Sequence, residues 1–350
     1  MSTARTESPI SQDTLSQVLR SIHLRGAVYF NVEGAAPWVA EVPPACDMAA
    51  AVMPGADHVM AFHIVTQGAC WAAVIGQPPV RLERGDIAVF ARGDAHGVSS
   101  APGLRAGPDS PPPVMPRPDQ RPLFKYLRGD HVLLARPDGA TPPDQTVLVC
   151  GFFGCDARPF NPLLASLPPL MHIRAPDDTG DSWLAQFIRF AALESDRQRP
   201  GSEAVLERLS EMMFVDLIRR HLDQLPADQA NWLAGLRDRF VGRALSLLHA
   251  QPATHWTIDQ LADEVGLSRS ALHDRFAHFA GQPPMQYLSS WRMQLASELL
   301  IRSHASVSSV ALDVGYESES AFARAFKRAT GSPPARWRRE RAELDKGGRA

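Results

Sequence analysis

Two stretches of this chain, WTIDQLADEVGLS at residues 256–268 and ALDVGYESESAFARAFKRATGSPPARWR at residues 311–338, carry one pattern twice, and that repetition decides the reading of the fold. At an offset of 49 residues Leu261-Ala262 falls on Val310-Ala311 and Val265-Gly266 falls on Val314-Gly315. One residue is then added. After it Ser268, Leu272, Phe276, Gly281, Pro284 and Tyr287 fall on Ser318, Phe322, Phe326, Gly331, Pro334 and Trp337.

Each copy spells a short helix, a tight glycine turn and a second helix. In the first, Thr257 with Gln260 forms a capping box, and Ile258, Leu261, Ala262 and Val265 follow at helical spacing. Gly266 stands where the helix needs a left-handed end, and Ser268 caps a second helix with apolar Leu272, Phe276 and Phe279. In the second copy Ser306 and Ser318 are the caps, Gly315 ends the first helix, and Gly331-Ser332-Pro333-Pro334 stops the second. This is the sequence form of a helix-turn-helix.

Together with LHDRFAHFAGQPPMQYL at residues 272–288, these stretches resemble the DNA-binding domain of the AraC/XylS regulators from about Trp256 to Arg338. The resemblance implies two helix-turn-helix units on a long central helix, about Pro284 to Arg302, each with its second helix in a major groove, the grooves about 34 Å apart. The positions matching the family's base readers in the first unit are Ser270, His273 and Asp274; a solvated polar face is the plain alternative. Inward Phe322 and Phe326 leave Glu319, Ser320, Ala323 and Arg324 outward in the second unit, and a guanidinium suits guanine or a phosphate. Asp274, the repeat partner of Arg324, repels phosphate yet can accept a hydrogen bond from cytosine N4. Arg269 and Arg275 in the first unit are read as phosphate contacts, as are Lys327, Arg328 and Arg338 within a basic run that also holds Arg336, Arg339 and Arg341.

The charge distribution agrees. From Leu233 onward 16 Lys and Arg face 12 Asp and Glu, a surplus of four, so the net −2 leaves −6 upstream. At 350 residues with 45% hydrophobic residues the chain buries more than one core. The expected class is α+β: an N-terminal cupin-like β-barrel, a helical connector and a C-terminal all-α double helix-turn-helix domain. The expected bounds are a flexible N-terminus at 1–20, a sensor domain at 21–176, the connector at 177–230, the DNA-binding domain at 231–341 and a flexible tail at 342–350. A polar start and no run of about 18 apolar residues predict a cytoplasmic protein without a membrane partner.

Upstream, His58 to Thr66, Ala69 to Ile75 and Asp86 to Ala91 are short apolar runs with turns at Gln67-Gly68 and Gly76-Gln77-Pro78-Pro79, which predicts β structure. Eight prolines between Ala101 and Pro122 read as a long surface loop. GDIAVFARGDAH at 85–96 resembles the second cupin motif, with Ala91 where the pattern usually has Pro. The resemblance implies a sensor barrel, but only His63 stands near the first motif's ligands, so no metal and no other cofactor is expected. Alternation places His63 with Val59, Ala61 and Val65, and Trp71 with Ala73 and Ile75. If those faces point inward, His63, Trp71 and His96 surround an effector pocket; an ordinary filled core is the other reading.

Four cysteines, Cys46, Cys70, Cys150 and Cys155, are too few and scattered for a disulfide scaffold. Cys150 and Cys155 read either as inert reduced thiols or as an oxidant sensor of the kind some family members carry. From Asp181 the period becomes helical: Trp183, Phe187, Phe190 and Ala191, then, past Pro200-Gly201, Val205, Leu209, Met212, Met213, Leu217 and Ile218. Such stripes are core or a seam for a second copy of the chain. The functional reading is a sequence-specific transcription regulator, not an enzyme, that answers to a small-molecule effector or an oxidant. Its partners are promoter DNA and RNA polymerase, and the operator's place relative to the polymerase decides whether it is an activator.

Overall fold

The computed structural model describes residues 13–110, 122–134, 145–175, 183–197, 199–226 and 228–347. The chain divides into two compact units: Met1–Ile22, Ala157–Ser166 and Gln224–Ala350 form one, and His23–Asp156 with Leu167–Asp223 form the other.

Helix α1 (Thr14–Ser21) comes first, capped by the Asp13 carboxylate, which accepts from the Ser16 amide at 3.1 Å. The barrel strands follow: β1 (Arg25–Val42), then helix α2 (Ala45–Val52), β2 (His58–Gln67), β3 (Ala69–Val74), β4 (Val80–Glu83), β5 (Ile87–Phe90) and β6 (His96–Ser99). Next come β7 (Leu123–Gly129), β8 (His131–Leu133) and β9 (Gln145–Cys155), and after helix α3 (Pro162–Ser166) the edge strand β10 (Met171–Ile173). The strand order is β10-β5-β2-β9-β1-β6-β3-β4, with β7 beside β1 and β8 beside β7. This is a nearly closed barrel whose pairings are antiparallel except for β1 with β7. Strand β1 serves two pairings in succession, its first half on β9 and Val39–Val42 on β6, which bends it around the barrel.

The predicted runs at 58–66, 69–75 and 86–91 are β2, β3 and β5. Strand β2 is apolar on both faces for a physical reason. Val59, Ala61 and Val65 belong to the barrel core, while Phe62 on the other face stacks on Phe153 at 4.6 Å, and Phe153 meets Phe214 at 4.9 Å. Phe214 comes from the helices that close this face, α4 (Trp183–Arg197) and α5 (Ser202–Gln224). Gly26 has no room for a Cβ, which would sit 2.5 Å from Ser210 Cβ. The helices expected in the connector are therefore a layer of the barrel unit, with Leu184, Phe187, Ile188, Ala191, Leu206, Met213, Leu217 and Ile218 buried.

The other unit continues with α6 (Trp232–Arg237), α7 (Arg239–Ala250), α8 (Ile258–Val265), α9 (Arg269–Ala280), α10 (Pro284–Arg302), α11 (Val307–Asp313), α12 (Glu319–Thr330) and α13 (Pro334–Gly347). Helix α10 has the expected bounds, and its 19 residues span about 28 Å at 1.5 Å each. Its N-terminal half buries Tyr287, Leu288 and Trp291. Its C-terminal half packs Met293, Ala296 and Leu300 with Val310, Ala311, Val314, Phe322, Phe326 and Trp337. Tyr287 anchors the first half: its hydroxyl accepts from Trp232 Nε1 at 2.8 Å and donates to His249 Nε2 at 2.8 Å, while the His249 ring stacks on Trp291 at 4.1 Å.

Two expectations about the ends need correction. Residues 14–20, taken as flexible, are helix α1, which packs against α7 and α10 because Val18 and Ile22 are buried. Residues 1–12 lie outside the described residues. The tail from residue 342 continues as α13 to Gly347, and 348–350 lie outside. Buried Gln294 joins the helical unit's distant pieces: its Nε2 donates to Ser21 O at 2.8 Å, and its Oε1 accepts from the Phe160 amide at 3.1 Å.

Candidate nucleic-acid interface and effector cavity

The two copies in the sequence form the same local geometry. Ser268 Oγ accepts from the Ala271 amide and Ser318 Oγ from the Ala321 amide, both at 3.3 Å. Each cap also lies 3.4 Å from the serine two places on, Ser270 or Ser320. Gly266 at φ 76° and Gly315 at φ 83° end the preceding helices, and the amides of Leu267 and Tyr316 reach back to Ala262 O at 3.0 Å and Ala311 O at 2.9 Å. The capping box is complete, Gln260 Oε1 accepting from the Thr257 amide at 3.0 Å.

With Leu272, Phe276, Phe322 and Phe326 buried, α9 exposes Ser270, His273 and Asp274, and α12 exposes Glu319, Ser320 and Arg324 with Ala323 half-buried. His273 Nδ1 lies 3.2 Å from Asp274 Oδ1. Arg324, Lys327, Arg328 and Arg339 are exposed and carry no ion pair or hydrogen bond among the described residues.

Two of the expected phosphate contacts have partners within the protein. Arg275 is committed to Asp238, with Nε 3.0 Å from Oδ1 and Nη2 2.5 Å from Oδ2. Burial alone would raise the Asp238 pKa, but hydrogen bonds from Arg275 and the amides of Val241 and Phe240 hold it below the usual value. Arg338 is committed as well: its Nε donates to Leu300 O at 2.9 Å and its Nη2 to Ala305 O at 2.6 Å, tying α13 to the carbonyl end of α10. Arg269 keeps an exposed guanidinium 3.9 Å from Asp259. Arg336 pairs with Glu340 at 2.7 Å. The first unit thus holds fewer free cations than the second.

The barrel encloses a cavity of about 480 Å³ lined largely by apolar side chains, among them Phe30, Val32, Met48, Leu127, Leu148 and Phe152. That volume is in the range of small-molecule sites. His63 lines it, and alternation placed His63 correctly with Ala61 and Val65 on the inner face. Trp71 is not a lining residue. On β3 it is Cys70 and Ala72 that point into the core, so Trp71 faces the other way and the expected pocket loses it. His96 lies behind His63, with its ring stacked on Phe90 at 3.7 Å.

A chain of hydrogen bonds assigns the protons on these rings. His96 Nδ1 lies 3.0 Å from the Asp94 carbonyl, an acceptor only, so it carries the hydrogen and leaves Nε2 bare. His63 Nε2 then donates to His96 Nε2 at 3.0 Å, and His63 Nδ1 accepts from the Cys150 thiol at 3.0 Å. All four ring nitrogens are used and both rings are neutral. Burial agrees, pushing His63 well below its ordinary pKa and His96 down to about 4.

The oxidant-sensing pair expected at Cys150 and Cys155 is not assembled. Both thiols are buried, and burial raises both pKa values, the opposite of a reactive thiolate. Five residues apart on β9, they face opposite sides of the sheet at roughly 16 Å along the strand, beyond disulfide reach.

Two features escaped the sequence reading. The proline-rich loop supplies part of the cavity wall through Arg105, Ala106, Gly107 and Ser110. Lys125, buried at 8% exposure, also lines the cavity, with Nζ 3.6 Å from the centroid of the Phe30 ring. In LFKYLRG at 123–129 it shares a face with buried Leu127, a signal that was present in the alternation.

The family profile described as Cupin matches residues 13–223, and one described as a helix-turn-helix domain matches residues 261–340. The first ends at the residue where the barrel unit ends. A putative AraC-like transcription regulator of Streptomyces lividans is 35% identical over 294 residues, 83% of this chain and 90% of that protein. The HTH-type transcriptional regulator AlkR of Acinetobacter baylyi is 30% identical over 329 residues, 94% of this chain and 99% of its own. Among solved structures, a DNA-binding transcriptional dual regulator of Escherichia coli K-12 shares 27% identity, covering 31% of this chain and 96% of that one with a TM-score of 0.29. The chain belongs to the AraC-like transcription regulators, with a cupin barrel ahead of the DNA-binding domain. It is a DNA-binding transcription regulator, and no helix among the described residues is long and apolar enough to cross a membrane.

Proposed function

We propose that this chain is a cytoplasmic one-component activator: α9 and α12 read two unlike half-sites in promoter DNA, and a small molecule in the barrel cavity sets its response. The observation that carries this reading is the repeated cap-and-turn geometry of α9 and α12, which presents two polar faces from one helical unit. Base contacts fall to Ser270, His273 and Asp274 on one helix and to Glu319, Ser320, Ala323 and Arg324 on the other. Arg269, Lys327 and Arg328 neutralise phosphates. Exposed Phe190 and Leu193 on α4 and Val205 and Met212 on α5 support a contact between two copies of the chain, and bound at a promoter the protein would work beside RNA polymerase.

The test is footprinting of the promoter regions near the gene, with and without candidate effectors, followed by gel shifts on the protected site. Arg324→Ala is expected to weaken that site by about 1–3 kcal/mol, roughly 5- to 150-fold, and to relax selectivity at one base pair. Unchanged affinity and selectivity would remove Arg324 from the set of readers.

A further inference from the structure

The cavity holds one charge that no described residue around it balances. Its rim groups satisfy each other: Arg105 Nε donates to Glu41 Oε1 at 2.5 Å, and Asp130 Oδ2 accepts from Ser110 Oγ at 2.7 Å and from the Gly107 amide at 3.3 Å. Deeper in, His63 is neutral and saturated by Cys150 and His96. Lys125 is different. Among the described residues no carboxylate pairs with it and no acceptor takes a hydrogen bond from it; it sits over the face of Phe30, with the buried Cys150 thiol as its electrostatic neighbour.

An ammonium in such surroundings is poorly solvated, and burial lowers its pKa to about 8, so near neutral pH it is still mostly charged. A buried unpaired cation beside empty apolar volume is complementary to a ligand that brings one negative charge and otherwise presents hydrocarbon. A phosphate dianion fits less well, because it needs several convergent donors and this cavity offers one free cation among the described residues. Pockets of this size take ligands on the order of ten to twenty non-hydrogen atoms.

We propose that the effector is an amphipathic monocarboxylate, its carboxylate seated on Lys125 and its alkyl or aryl body against Phe30, Val32, Leu127 and Leu148. This deepens the effector reading given above and rests on it. Lys125 sets the ligand class, and the apolar walls set its size.

Titration calorimetry on the full chain with decanoate and with uncharged 1-decanol, a matched hydrocarbon body, tests the assignment. A charge-assisted contact is expected to make decanoate bind the wild-type protein about 10- to 100-fold more tightly than the alcohol. Lys125→Met removes that preference while still binding 1-decanol, which also shows that the cavity has formed; Lys125→Arg retains it. Equal affinities for acid and alcohol in the wild type, or a preference that survives Lys125→Met, overturn the carboxylate assignment and leave the sensor reading standing. Binding of neither overturns the cavity as an effector site altogether.

Discussion

The His63–His96 pair sets how the barrel answers to acid. Both rings are held neutral by the chain from the Cys150 thiol to the Asp94 carbonyl, so protonating either one breaks a buried hydrogen bond and leaves a charge without water. For His96 the folded pKa is about 4 against an ordinary 6.5, so the unfolded state binds the proton first. Stability is therefore intact above about pH 6.5, falls as pH drops through the window down to about 4, and is lower by about 3 kcal/mol beneath it. Between about pH 7.5 and pH 5 the contribution of His96 is about 2 kcal/mol, and His63 shifts in the same direction. His96→Phe removes that titration. It also leaves His63 Nε2 without an acceptor, at about 1–3 kcal/mol at neutral pH. The cysteines provide an assay specific to this unit, because Cys70, Cys150 and Cys155 are buried in the barrel. Pulsed alkylation of these thiols at one fixed pulse pH, after urea equilibration at pH 7.5 and at pH 5, reads barrel opening alone. The wild type is expected to lose about 2 kcal/mol more than His96→Phe across that interval. Equal losses in the two proteins would refute the neutral-chain assignment.

Three further outcomes follow from the helical unit. Lys327→Ala is expected to flatten the salt dependence of operator binding by about one unit of slope; Arg275→Ala leaves the slope unchanged and lowers thermal stability by freeing buried Asp238, and gel shifts beside melting curves separate the two. Gly315→Ala costs more stability than Gly266→Ala in urea melts. Both glycines have positive φ, at about 1–2 kcal/mol for a side chain, but only at Gly315 does a Cβ meet backbone, 2.6 Å from Ala253 O. Tyr287→Phe strands Trp232 Nε1 and His249 Nε2 in the core and is expected to cost on the order of 2–4 kcal/mol, measured by denaturant unfolding followed through tryptophan fluorescence.

What was legible in the sequence follows the range of the interactions. Caps, glycine ends and helical stripes act within a few residues, so the helices from Thr257 to Arg338 and their outward faces were readable in advance. Alternation showed which residues share a face of β3 but not which face is inward, since that depends on the register with β6, and so Trp71 was misplaced. The roles of Arg275 and Arg338 depend on partners 37 and 33–38 residues away, and nothing local separates a guanidinium bound to Asp238 from one free for phosphate. Lys125 was within reach of the same alternation argument that placed His63. A lysine in phase with Leu123 and Leu127 is either at the end of a solvated strand or inside for a reason.

The two readers are less alike in charge than their repeated backbone suggests. At equivalent places α9 carries Asp274, beside His273, and α12 carries Arg324; Arg275, the next residue of α9, is tied to Asp238, while Lys327 and Arg328, about one turn past Arg324 on α12, carry no ion pair among the described residues. Counterion release scales with the phosphates neutralised, at a slope of about 0.9 per contact, so under the proposed assignment most of the sequence-independent affinity is expected from the second unit. On the same proposal the first unit, poor in free cations, is expected to contribute chiefly through hydrogen bonds that require the correct bases. Mismatches in the half-site under α9 should therefore change selectivity with little change in salt slope, whereas losing the cations of α12 weakens every site. An effector that alters how α9 is presented would then act on choice of promoter more than on overall attraction to DNA.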